Sequence, residues 1–306
     1  MNSAEPAPVA LFAYDRLSHL RQTVEALRGN NLAAETQLRV FCDGPKDSGD
    51  AAKVAQVREY ISRIEGFKSV RVVQCERNFG LAQSIIAGVT EVVEDFGKVI
   101  VLEDDLVASP FFLTYMNDAL NLYEADERVV GIHGYIYPVG GHLPETFFLR
   151  GADCWGWATW NRGWRIFESD AERLLGELRR NRLEYAFDFE GAYPYTKMLK
   201  DCIAGENDSW AVRWYASAFL RQKLTLYPGR SLIRNIGLDY SGTHSGKTDK
   251  FDVVLSVEPI RVTRIPIEED ESALRLVGGF LRSLRPTLTQ RFIHGVRSLT
   301  EPLRMK

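Results

Sequence analysis

Residues Lys98–Leu106, Lys-Val-Ile-Val-Leu-Glu-Asp-Asp-Leu, constrain the fold more than any other stretch of this 306-residue chain. Val99–Leu102 form an apolar run of strand length, suited to burial on both faces. The run stops at three carboxylates, Glu103, Asp104 and Asp105. A strand covered on both faces belongs to an α/β sheet, and open sheets of that class bind ligands just beyond the carboxyl ends of their strands. Three acids gathered there repel one another and need a positive partner. A hard divalent cation, bound by oxygen ligands and binding phosphates in turn, supplies it. A solvated acidic turn is the simpler alternative.

The residues before this run repeat a strand–loop–helix pattern. Val9–Ala13 is a short apolar run followed by Tyr14-Asp15-Arg16, after which Leu17, Leu20, Val24 and Leu27 recur at helical spacing. Leu38–Cys42 runs into Asp43-Gly44-Pro45, and Val54, Val57 and Ile61 mark a helix from about Ala51 to Ile64. Val70–Cys75 precedes the turn Glu76-Arg77-Asn78-Phe79-Gly80, and Leu81–Phe96 is the third helix. Four strands alternating with three helices predict a parallel sheet with right-handed crossovers. Asp15-Arg16, Asp43, Arg77-Asn78 and Glu103–Asp105 each follow a strand. Any one group is explained by a cap or a turn. Together on one sheet edge they suggest a polar ligand with basic and metal-bound anionic contacts, such as a nucleoside diphosphate. Neither the Rossmann glycine fingerprint nor a Walker A sequence is present.

Beyond Asp105 the pattern is less regular. A helix is predicted from Pro110 to about Tyr123 with Ser109 as cap, and a strand over Val129–His133. Trp155, Trp157, Trp160 and Trp164 crowd a glycine-containing stretch, either as core or as a flat face for a sugar ring. Asp208 or Asn207 either caps a helix running to about Leu220 or carries chemistry. Thr225–Asn235 is predicted to be a hairpin about Pro228-Gly229. Gly237–Gly246 is a loop, and Glu258–Pro266 is extended.

A net charge of −3 gives no support for nucleic-acid binding, and the four scattered cysteines suit a reducing compartment. With no evident signal peptide and no apolar run near ~20 residues, a cytoplasmic location is expected.

In order, Val9–Arg16, Asp43, Asn78-Phe79-Gly80, Val101–Phe112, Trp155-Gly156-Trp157, Asp208-Ser209-Trp210 and Asn235–His244 resemble the motifs of a GT-A fold glycosyltransferase. The likeness is to inverting family 2 enzymes and, more closely, to N-acetylglucosaminyltransferase I-like sequences, and covers roughly residues 8 to 250. It implies a Rossmann-like, mostly parallel sheet with helices on both faces. Residues 1–106 would bind the nucleotide sugar, 107–266 would complete the same domain with the acceptor side, and 267–306 would form a tail. It also implies an Mn²⁺ or Mg²⁺ ion, a nucleotide-sugar donor, by default a UDP-sugar, and a glycan or lipid-linked glycan acceptor.

Residue by residue, the resemblance makes Asp105 the direct metal ligand and His244 a supplementary one. Glu103 and Asp104 would contact ribose or hold the loop, Asp43 would lie near the base, and Arg16 and Arg77 near ribose or diphosphate. Ala13, Asp15, Asn78 and Gly80 fall in the same nucleotide-sugar site, Asp208 matches the catalytic base, and Trp155, Gly156, Trp157 and Trp210 would face sugar. Ala211 stands where related sequences often carry a second acid, and the glutamine of the processive-synthase Gln-x-x-Arg-Trp pattern is missing. A sugar-phosphate nucleotidylyltransferase would need a glycine-rich basic loop after strand one, which Tyr14-Asp15-Arg16 does not supply. The alternative from another class is a non-catalytic carbohydrate- or nucleotide-sugar-binding relative.

From Ala273 onward, leucines and valines recur at helical spacing, and Arg275–Lys306 holds seven Lys/Arg against one acid, Glu301. Such a segment either lies on an anionic membrane surface, packs on the catalytic body or bridges a homodimer.

Overall fold

The computed structural model describes residues 5–239 and 248–285. Its first half follows the predicted alternation: β1 (Val9–Ala13), α1 (Leu17–Arg28), β2 (Gln37–Cys42), α2 (Ala51–Ile61), β3 (Ser69–Gln74), α3 (Leu81–Phe96) and β4 (Lys98–Glu103). Then come β5 (Leu106–Ala108), α4 (Phe112–Leu122), β6 (Val129–His133), β7 (Thr146–Arg150) and β8 (Trp157–Trp160). The remaining elements are α5 (Asn161–Trp164), α6 (Ala171–Arg180), α7 (Glu184–Phe187), α8 (Tyr195–Ile203), α9 (Trp210–Leu220), β9 (Leu224–Pro228), β10 (Ile233–Asn235) and α10 (Glu271–Ser283).

Eight strands form one sheet in the order β3-β2-β1-β4-β8-β6-β9-β7. β1 pairs in parallel with β2 and β4, and β2 with β3, so four strand ends emerge along one edge. β8 runs antiparallel between β4 and β6, which brings its start to that same edge. All five residues of β1 are buried because the sheet is covered on both faces. Val9, Leu11 and Ala13 pack with Leu20 and Leu27 of α1, whereas Ala10 and Phe12 pack with Ile85 and Val89 of α3. This is an α/β architecture with a mostly parallel sheet and helices on both faces.

Several local expectations change. The predicted hairpin over 225–235 does not form: β9 pairs with β6 and β7, while β10 crosses to pair antiparallel with β5. Ser109 does not cap α4, which starts at Phe112 after Phe111; its hydroxyl instead donates to the Ser256 carbonyl at 2.7 Å. Neither Asn207 nor Asp208 caps α9. Ser209 does, accepting the Val212 N–H. Ala273, Val277 and Leu281 of α10 are buried beside Phe147 and Tyr227, so this part of the tail packs on the body. Residues 286–306 lie outside the described residues. Among those described, no helix is long and apolar enough to cross a membrane.

Candidate active site at the sheet edge

The two loops nearest the outer strands are knitted by Asp43. Its carboxylate is buried and accepts backbone N–H groups from Gly44 (2.9 Å), Phe79 (3.0 Å) and Gly80 (2.8 Å). Asn78 adds a bond from its side-chain amide to the Gly44 carbonyl at 2.9 Å. Asp43 therefore fixes the shape of the loop that follows β3. On that loop Arg77 is exposed and lies over the Phe79 ring, 4.8 Å from its centroid. Ala13 is buried at the end of β1, and the half-buried Asp15 faces Lys53 at 3.7 Å.

The acid cluster after β4 is arranged around Arg16. Its guanidinium pairs with Asp104 and, at 2.9 Å, with Asp105. Burial alone would make Arg16 easier to deprotonate, but the two carboxylates reverse this and raise its pKa. Asp104 is buried, and its backbone carbonyl accepts the Thr23 hydroxyl at 2.8 Å. Of the two roles implied for Asp104, ribose contact or holding the loop, the buried and paired carboxylate fits the second. Burial pushes Glu103 up to about 8, with the charges of Asp105 and Asp104 adding to the effect. Asp104 is raised to about 6, again by burial, against the pull of Arg16.

Asp105 differs from its neighbours. Its backbone carbonyl accepts the Ile236 N–H at 2.9 Å, and one carboxylate oxygen meets Arg16. A Cβ on Gly237 would sit 2.0 Å from that oxygen and 2.9 Å from Arg16 Nη1, so only glycine permits the approach. Arg16 Nη1 is itself buried without a hydrogen-bond partner, an amino group with unused donors beside a carboxylate with unused acceptor capacity. Among the described residues no three His, Cys, Asp or Glu side chains are grouped to hold a metal. This donor set fits a hard cation shared with a ligand's phosphates, as Mg²⁺ is commonly held, and not one caged by protein alone. His244 lies outside the described residues.

Two of the tryptophans expected to face sugar are buried in the core. Trp157 and Trp210 are 2% and 4% exposed and stack at 5.5 Å, in one cluster with Trp164 and Trp214. They are core, because β8 and α9 converge under the sheet edge and each brings an indole. Gly156 is buried too, at φ +65°, and a Cβ there would strike Ile233. Only Trp155 remains half-buried at the rim.

Asp208 stands just before α9, two residues from Trp210, whose stacking on Trp157 ties this helix start to the β4 edge through the Trp157–Val101 register. Its side chain is 70% exposed and accepts from Arg213 at 2.6 Å. Arg213 is held by the Ser209 and Ser169 carbonyls. Arg213 was not singled out from sequence; its place four residues after the cap is the signal, since i and i+4 share a helix face. Phe79 and Gly237 stand inside the motifs quoted above but were given no role of their own.

No protein-family model matches the chain, and no curated protein does. Among solved structures it is similar to residues 1–349 of TarS from S. aureus, at 12% identity and a TM-score of 0.41. That match covers 74% of this chain and 59% of the other, so the chain spans well under two thirds of TarS 1–349. It is also similar to the mannosyltransferase PcManGT from Pyrobaculum calidifontis in complex with GDP-Man and Mn²⁺, at 10% identity and a TM-score of 0.36, covering 71% and 70% of the two chains. A third likeness is to the galactosyltransferase LgtC in complex with donor and acceptor sugar analogues, at 15% identity and a TM-score of 0.31, covering 54% and 63%. These likenesses are too loose to assign a family.

Proposed function

We propose that this chain is a GT-A-type, inverting, cation-dependent glycosyltransferase acting on a nucleoside-diphosphate sugar, by default a UDP-sugar. The observation that carries this reading is the pairing at the β4 edge: an Asp105 carboxylate with spare acceptor capacity beside an Arg16 amino group with unused donors. A diphosphate presents oxygens for Arg16 Nη1 and for a cation on Asp105 at once. The exposed Arg77–Phe79 pair, on the loop that Asp43 holds, offers a charged and aromatic surface for the nucleoside end.

A divalent cation at Asp105 would offset the negative charge that grows on the departing diphosphate. Arg16 would bind and orient the same group. Asp208 would accept the proton of the acceptor hydroxyl as that oxygen attacks the anomeric carbon. With no separate nucleophile identified, a single in-line displacement inverts that centre. The acceptor would be a glycan or lipid-linked glycan in surface polysaccharide synthesis. The test is a panel of UDP- and GDP-sugars assayed for donor hydrolysis and thermal stabilisation with and without Mn²⁺. Stabilisation by at least one nucleotide sugar, dependent on the cation, supports the reading; indifference to all of them overturns it. Binding without turnover would favour the non-catalytic relative.

A further inference from the structure

We propose that Asp153, with Trp155 beside it, forms a saccharide-binding subsite that receives hydroxyls of a neutral sugar acceptor. The inference rests on the glycosyltransferase reading above and supplies the acceptor side that Trp157 and Trp210, being core, do not.

The segment lies in the connection from β7 to β8. Gly151 and Ala152 before it and Gly156–Trp160 after it are buried, while Asp153, Cys154 and Trp155 are half-buried. The β4–β8 ladder ends with Val101 opposite Trp157. Continued one way it leads to Glu103–Asp105, and the other way to Asp153–Trp155, so the two stretches leave the sheet side by side. Burial raises the pKa of the Cys154 thiol, and the charges of Glu103, Asp153 and Asp105 add to it.

Asp153 is oriented and keeps open acceptor positions. Tyr227 donates its hydroxyl at 2.9 Å, and Tyr137 straddles both carboxylate oxygens at 3.1 and 3.2 Å. Two protons reach a group with about four acceptor positions. No lysine or arginine pairs with it among the described residues. Half-buried among tyrosine side chains, the carboxylate keeps acceptor positions that a ligand's hydroxyls can fill. Trp155 is held in place beside it. His133, 1% exposed, accepts the backbone N–H of Trp155 at 3.2 Å, and the indole meets Tyr135 and Phe251 edge-on at 4.8 and 5.6 Å. A half-buried indole two residues from a hydroxyl-accepting carboxylate offers the two kinds of contact a pyranose uses, one for its C–H groups and one for its hydroxyls.

Saturation-transfer difference NMR tests this, with methyl glucoside, galactoside, mannoside and N-acetylglucosaminide as probes, each with and without UDP and Mn²⁺. The wild-type chain is expected to contact at least one glycoside. Asp153→Asn should weaken that contact about tenfold or more, the worth of a hydrogen bond to a charged group. Combining Tyr137→Phe with Tyr227→Phe keeps the carboxylate but frees it to rotate, and should weaken the contact by a smaller factor; this variant decides the matter if Asp153→Asn does not fold. The subsite is overturned if wild-type protein contacts none of the four glycosides, or if the variants bind as it does. Glycoside contact without UDP–Mn²⁺ binding would instead count against the donor reading alone.

Discussion

Asp43 and Asp105 stand at the ends of strands in one sheet, yet their carboxylates face opposite demands. Asp43 is enclosed by three backbone N–H groups and holds two loops together. Asp105 meets one arginine and keeps acceptor capacity beside an unpartnered amino group. A carboxylate whose lone pairs are taken by its own backbone is scaffold; one left open at a ligand-binding edge is available for chemistry. The tryptophans divide the same way, Trp157 in the core and Trp155 at the rim.

The sharpest way to break this division is at Asp208, which belongs to the open class. Asp208→Asn is expected to lower turnover by ~10²–10⁴ while donor binding and stability hold, since the amide keeps the shape but cannot take a proton. Separate measurement of kcat and nucleotide affinity checks this. If the variant is unstable but active, Asp208 is scaffold. Trp157→Ala should cost about 3–5 kcal/mol in denaturant unfolding, as expected for emptying an indole site in a core. Trp155→Ala, at the rim, should cost about 1 kcal/mol. Equal costs would erase the distinction between them.

Asp43→Ala leaves backbone donors on two loops without their acceptor and is expected to cost about 3 kcal/mol, lowering Tm by roughly 5–10 °C. Calorimetry measures it. A large loss of nucleotide affinity at unchanged Tm would instead give Asp43 a direct ligand contact. The smallest effect is in pH. Glu103 has its pKa raised on folding, so its contribution to stability is full below about 4.5 and is lost as pH rises through about 8. Without a cation, Tm should therefore fall across that window, and added Mn²⁺ with UDP should raise Tm more at pH 8 than at pH 6. A flat profile would argue that Glu103 is ionised and solvated.

The parallel half of the fold was legible because each of its strands is a local apolar run ended by polar residues, and each helix repeats its apolar positions. β7, β8 and the β5–β10 pair were not, because short strands in irregular sequence are defined by distant partners. Pro228-Gly229 carries a turn signal, but β9 lies between β6 and β7 and leaves no room for a hairpin. Within the candidate site, the Glu-Asp-Asp stretch is legible as the polar end of β4, but sequence does not say which of three acids an arginine on another loop will claim. Asp208 and Ser209 are both capable caps, and only backbone geometry separates them. Asp153 carried one faint signal, its place directly before Cys-Trp-Gly-Trp.

The most direct test of the central claim is calorimetric titration of UDP into wild-type and Asp105→Asn protein, each with MnCl₂ and with EDTA. The account predicts that wild-type binding requires the cation and that Asp105→Asn loses cation-dependent affinity by about 100-fold or more. Equal affinity of the two proteins in MnCl₂, or wild-type affinity unchanged by EDTA, would contradict it.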